Sequence, residues 1–359
     1  MSSLTHIDKL KQAAFEEAGF DGFLVFDSAN LLYFLGFPGT SALLVPADGS
    51  CTVYVYGVNY EQAKAMGKGV SVQLVRAEEN LLQKIASRAL DCKIKKLAVD
   101  NLGVAGWREL SRTLKGKTKI KLTDSCIEAL RVVKDHREIE LMRKAAELTS
   151  EGMKAASEAV EAGVCEYEIA AEIEYAMRSR GAGPTAFESI VASGACSAFP
   201  HGGCTGREIR EGDFVVVDIG ATFEYYCSDM TRTFIAGKSS ERQMQIYDAV
   251  KTAQQRAFEA MKPGVPVANL DATARKVIAE AGFGDYFVHR LGHGVGLEVH
   301  ESPSMGATSK QKLAAGYVVT DEPGIYIPGL GGVRIEDTVL ITRDGAERLT
   351  VGPYCPTKQ

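Results

Sequence analysis

Up to about residue 125, short apolar runs alternate with stretches of helical spacing. FLVF (23–26), ALLV (42–45), TVYVY (52–56) and KLAVD (96–100) read as strands, and 59–66, 78–90 and 105–114 read as helices. The alternation predicts a small α/β layer domain. Nothing in it gathers His, Asp and Glu, so its expected role is to support, cover or dimerise something else. At the very start, MSSLTHIDKLKQAAFEEAGF reads as an amphipathic helix with interspersed charges.

A long helical pattern follows in KDHREIELMRKAAELTSEGMKAASEAV (134–160), with Ile139, Met142, Ala146, Leu148 and Met153 along one face. Gly163 marks a stop, and EYEIAAEIEYAMRSRG (166–181) predicts a second helix. From about 185 the texture becomes β-rich with Gly and Pro punctuation. Helices at about 240–261 and 266–281, separated by KPGVP, interrupt it. The predicted division is 1–126 for the smaller domain and 127–359 for an α+β domain that carries the chemistry.

Composition narrows the classes. A chain of 359 residues fills two cores of common size. A net charge of −5 gives no electrostatic reason to expect nucleic acid or an anionic membrane as partner. No apolar run is long enough to span a bilayer, and the amino-terminal pattern lacks the apolar stretch of a secretory signal, so a cytoplasmic location is expected. Eight scattered cysteines without a CxxC pair fit reduced thiols.

The chemistry lies in the second half. DFVVVDIGATFEYYCSDMTRTF (213–234) is two strand-like runs around a turn, Asp218 ending the first and Asp229 inside the second. A carboxylate after FVVV needs a partner, and if the runs pair as a hairpin the two acids repel unless a cation separates them. On this segment alone, a strand-end cap and a turn residue explain the pair equally well. HRLGHGVGLEVHE (289–301) sets His293 between glycines, which allow close backbone approach to a ligand, although a lone histidine in such a loop is usually structural. In VVTDEPGIYIPG (318–329) and GGVRIEDTVLIT (331–342), Glu322 and Glu336 sit among apolar residues. Arg334, two residues from Glu336 and so on the same strand face, offers an ion-pair partner as the bland alternative. Four carboxylates around one divalent ion leave −2, whereas two ions reach neutrality. Oxygen donors with one imidazole suit manganese, cobalt, iron or zinc, and such a pair activates water and polarises a carbonyl.

Asp218, Asp229, His293, Glu322 and Glu336, with GHGVG and EPGIY, resemble the pattern of the pita-bread metallopeptidases, which include prolidase, aminopeptidase P, methionine aminopeptidase and the metal-free creatinase. The resemblance covers essentially the whole chain, the first domain resembling the creatinase-type amino-terminal domain. It implies that Asp218 chelates one metal and that His293 with Glu322 holds the other. Asp229 and Glu336 then bridge the pair, with manganese the favoured ion. It implies too that His201, in AFPHGG, and His300, in LEVHE, contact substrate and act in catalysis beside Glu322, and that Arg334 helps hold substrate. His289 is expected behind the ligands or in a structural role. Asp321, turned away from Glu322 by strand alternation, is not counted.

The implied substrate is a small peptide with proline in second place, and the implied assembly a homodimer through or near the first domain. An Xaa-Pro bond lacks an amide N–H, and a metal pair needs only its carbonyl oxygen. Prolidase-type cleavage of dipeptides is favoured over aminopeptidase P action on longer peptides. HESPSMGA (300–307) lacks the arginine that dipeptide-cleaving relatives often carry there, which leans the other way. A non-catalytic peptide-binding pita-bread protein is the least favoured reading, because its ligands would be expected to have degraded.

Overall fold

In the computed structural model, residues 5–354 are described. The chain forms two compact units that divide between Arg131 and Val132. The sequence places this division at 126/127, inside what is a helix, Ser125–Arg131. Arg131 is buried and donates from Nη1 to Asn30 Oδ1 at 2.8 Å, which ties that helix to the first unit.

The first unit is built on one six-stranded mixed sheet. Gly22–Val25 runs antiparallel to Ala42–Pro46 and parallel to Lys96–Val99, and Thr52–Tyr56 continues the order. Its edges are Ser71–Val75 and Lys119–Leu122, neither of them predicted. Both are only partly buried, so they lack the apolar run that marks an inner strand. A further helix, Ser28–Leu35, also escaped prediction; Asp27 caps its start through Ala29 N–H and Asn30 N–H, and Gly36 ends it at φ 74°. The predicted amino-terminal helix begins at His6, capped by Thr5 and Asp8, and passes into a wider turn over Gln12–Glu17. Residues 1–4 of that prediction lie outside the described ones.

The second unit places sheets between two pairs of helices. His136–Ala159, opened by an Asp135/Glu138 capping box, and Glu166–Ser179 pack on a three-stranded sheet of Ile190–Ser193, Phe214–Ile219 and Met230–Ile235. Val215, Val217 and Ile219 face these helices. Burying each contributes roughly 1.5–3 kcal/mol, so a one-residue slip that turned Asp218 inward would be far costlier than the observed register. Glu241–Ala260 and Val267–Glu280 cover the other side, against Val319, Ile325, Val333 and Val339. The five-stranded sheet there runs Glu301–Ser304, His293–Gly294, Val318–Asp321, Asp337–Ile341, Ala346–Arg348. This is the α+β architecture that the resemblance implies. No described helix is long and apolar enough to cross a membrane. All seven described cysteines are free thiols; Cys355 lies outside the described residues.

Candidate metal centre

Alternation along Phe214–Ile219 sends Asp218 to the face opposite Val217 and Ile219. The hairpin forms, but Asp229 is not inside its second strand. It lies between the short strand Tyr226–Cys227 and Met230–Ile235, and Thr231 rather than Asp229 stands opposite Asp218. Thr338 Oγ1 holds Asp229 at both backbone ends, accepting from its N–H at 3.1 Å and donating to its carbonyl at 2.7 Å.

The glycines around His293 serve strand packing rather than a ligand. A Cβ on Gly294 would collide with the Ser302 carbonyl, and one on Gly292 with the Thr320 carbonyl. His293 N–H donates to Thr320 Oγ1 at 3.0 Å, and that hydroxyl donates to Glu322 Oε1 at 3.1 Å. One threonine therefore fixes two candidate ligands. His293 Nε2 lies 3.3 Å from Glu322 Oε1 and 3.6 Å from Asp229 Oδ2. Glu336 sits in the break between Gly331–Arg334 and Asp337–Ile341, so it shares no continuous strand with Arg334. Its carboxylate accepts from Thr231 Oγ1 at 2.5 Å. Donor atoms of Asp229, His293 and Glu336 lie within 4.8 Å of one another.

Arg334 meets Asp218, not Glu336: Nη2 donates to Asp218 Oδ2 at 2.7 Å. Its other donors are engaged as well, Nε to Thr231 Oγ1 at 3.0 Å and Nη1 to Tyr326 Oη at 2.9 Å. Tyr326 passes its own proton to His289 Nε2 at 2.8 Å, and His289 Nδ1 donates to the Arg290 carbonyl at 2.7 Å. His289 thus stands at the far end of a chain that ends on Asp218. Burial holds both His289 and His293 down to about 4, so both are neutral imidazoles.

All five candidate ligands line one cavity of about 980 Å³, together with His201, His289, His300 and Arg334. His201 and His300 are exposed to it, and the His300 ring sits edge-on to His293 with centroids 4.3 Å apart. Burial, reinforced by neighbouring carboxylates, pushes Asp229 and Glu336 well above the usual carboxylate range and Glu322 up to about 8. Asp218 Oδ1 and Asp229 Oδ1 are buried without a hydrogen-bond partner. Crowded carboxylates with free lone pairs beside a neutral imidazole are what divalent metal requires, and the residues fit it. Asp321 stays out of this set: fully buried, it stands opposite Asp337 across the strand pair. Thr231, Thr320, Thr338 and Tyr326 are the contributors that sequence reading missed. Their signal was present, a hydroxyl set inside runs that are otherwise apolar or ligating.

Residues 140–343 match the metallopeptidase family M24, and residues 7–133 match the creatinase/prolidase N-terminal domain. The chain belongs to the metallopeptidase family M24. It is similar to the Xaa-Pro dipeptidase of Pyrococcus furiosus, 41% identical over 93% of this chain and 94% of that one. Among solved structures it is similar to the prolidase of Pyrococcus horikoshii, with a TM-score of 0.90, 38% identity and coverage of 97% and 98% of the two chains. It is also similar to the X-Pro aminopeptidase of Thermotoga maritima, with a TM-score of 0.87, 35% identity and coverage of 95% and 98%.

Proposed function

We propose that this chain is an Xaa-Pro dipeptidase that works with two divalent metal ions. The observation that carries the reading is the set of buried carboxylates with unpartnered oxygens at the cavity floor, on a chain similar throughout to Xaa-Pro dipeptidases. Asp218 would hold one ion and His293 with Glu322 the other, with Asp229 and Glu336 shared between them. Bound there, the ions supply water activation and carbonyl polarisation. Glu322 takes the proton of the attacking water and delivers it to the departing proline nitrogen. His201 and His300, exposed on the cavity wall, donate to the oxygen that gains charge in the transition state. Arg334 holds Asp218 in place through their direct ion pair.

Manganese is the ion we favour, because oxygen-rich donors with a single imidazole suit it. A cytoplasmic homodimer is the setting that the composition and the family resemblance support. The test is hydrolysis of an Xaa-Pro dipeptide beside an Xaa-Pro-Yaa tripeptide by protein reconstituted with Mn, Co or Zn. Faster turnover of the dipeptide is expected. Preference for the tripeptide would move the reading to aminopeptidase P, whose Thermotoga maritima counterpart also matches. Inactivity with every metal, together with absence of bound metal, would favour a peptide-binding module.

A further inference from the structure

Three arginines and no lysine line the cavity: Arg275, Arg290 and Arg334. Two are already committed. Arg334 is 3% exposed and spends its donors on Asp218, Thr231 and Tyr326. Arg275 grips Asp271 from Nε at 2.7 Å and turns its remaining nitrogens to the carbonyls of Phe287 and His289. Arg290 differs from both. Its side chain is exposed, and the partner it meets is a hydroxyl, Ser304 Oγ at 2.9 Å, with no carboxylate of the described residues in ion-pair reach. It is the one cavity-lining guanidinium whose charge is left for a ligand.

Its position is set by the strand pairing. Ser304 is the register partner of His293 at the point where this strand pair shifts register, and both residues line the cavity. A guanidinium bonded to Ser304 therefore lines the same cavity as the imidazole of the candidate metal centre. The stem reaches it by lying across Gly306, where an added Cβ would fall 2.9 Å from Arg290 Cγ. The segment 300–307 contains no lysine or arginine. A dipeptide whose scissile carbonyl sits at the carboxylate–imidazole cluster carries its free carboxylate about one residue, or 3.8 Å, further along.

We propose that Arg290 receives the terminal carboxylate of the dipeptide and sets the preference for dipeptides over substrates in which that carboxylate is blocked or displaced. The assignment rests on the Xaa-Pro reading above. A guanidinium meets a carboxylate through two parallel hydrogen bonds, and Ser304 presents it without competing for its charge. Arg334, by contrast, already faces a carboxylate and gives each of its three nitrogens to a protein acceptor.

The test compares Ala-Pro with its carboxamide in manganese-loaded wild type, Arg290→Gln and Arg290→Lys, with Ser304→Ala as a milder variant. Arg290→Gln should lose about tenfold or more in kcat/KM on Ala-Pro, carried by KM, and leave the carboxamide unchanged. Arg290→Lys should lose less, and Ser304→Ala less again, in the same substrate-selective pattern. Equal losses on both substrates in a folded variant, or none on either, would overturn the assignment while the Xaa-Pro reading stands. A wild type that prefers the carboxamide would do the same. A wild type that cleaves neither would overturn the Xaa-Pro reading and this inference with it.

Discussion

Asp100 in the first unit and Asp229 in the second are both buried carboxylates just outside strands, yet they are treated in opposite ways. Asp100 accepts from the N–H groups of Phe26, Asn101 and Asp27 at 2.8, 2.6 and 3.2 Å, and from Asn30 Nδ2 at 2.9 Å. Asp229 keeps one oxygen buried with no partner and is crowded by Asp218 and Glu322. The first carboxylate is consumed in holding a loop to a sheet. The second is held by its backbone, through Thr338, while its lone pairs are left open. Neither burial nor an unspent acceptor alone marks a functional acid, since both oxygens of Asp321 are also buried without a partner; Asp229 differs in lining the cavity beside the other candidate ligands.

The strongest way to break this contrast is to neutralise one acid of each kind. Asp229→Asn and Glu336→Gln should abolish turnover in metal-replete assays while leaving the metal-free fold at least as stable as before, because each removes a source of repulsion among the crowded carboxylates. Asp100→Ala should do the reverse. It strands buried N–H groups, each costing about 1–3 kcal/mol, so the first unit should lose several kcal/mol with little change in activity per folded molecule. The sequence has a single tryptophan, Trp107, which lies in the first unit, so its fluorescence during urea unfolding reports that loss directly. Near-normal turnover in either acid variant of the second unit would refute their assignment as ligands.

Next in size are the two exposed histidines. His201→Ala and His300→Ala should keep their metal and lose on the order of a hundredfold in kcat, as expected for one lost oxyanion donor. Metal content and rate measured on the same sample separate the roles. A folded but metal-free His300 variant would make that residue a ligand, which its edge-on contact with His293 leaves geometrically open.

The ligand strands were legible because function forces visible exceptions on an apolar pattern. Acids after FVVV and VVT, or amid VRI and TVL, conflict with burial unless something binds them. What stayed hidden depends on pairing between distant segments. Thr231 reaches Glu336, and Arg334 reaches Asp218, across more than a hundred residues, which no local period encodes. Reading Arg334 and Glu336 as one strand face failed because the strand breaks at Ile335. Ser71–Val75 and Lys119–Leu122 were missed because edge strands keep polar residues and lose the apolar run.

A smaller effect sharpens the electrostatic side of the contrast. Glu322 is raised from an ordinary 4.5 to about 8, so the folded metal-free protein binds its proton more tightly than the unfolded chain does. Stability of the chelated protein should therefore fall as pH rises from about 4.5 to 8. Metal needs the charged carboxylates, so its stabilisation should grow over the same window, and loading should release protons. Thermal unfolding with and without metal at several pH values checks both signs. Parallel curves would mean that these acids do not face the metal.

The smallest expected effect concerns the chain from Asp218 through Arg334 and Tyr326 to His289. Arg334→Lys keeps a charge but cannot serve Asp218, Thr231 and Tyr326 together, because an ammonium lacks the planar fork. Loosening Asp218 should slow Xaa-Pro dipeptides and Xaa-Pro-Yaa tripeptides alike, since each of the three guanidinium nitrogens already donates to a protein acceptor. Tyr326→Phe removes one acceptor from Arg334 and the donor to His289 but leaves the Asp218 contact intact. Its loss should be the lesser of the two and again indifferent to substrate length. Measuring kcat/KM for both substrates in both variants decides the matter. A selective loss on dipeptides in Arg334→Lys would mean that this arginine, and not only Arg290, meets the substrate carboxylate.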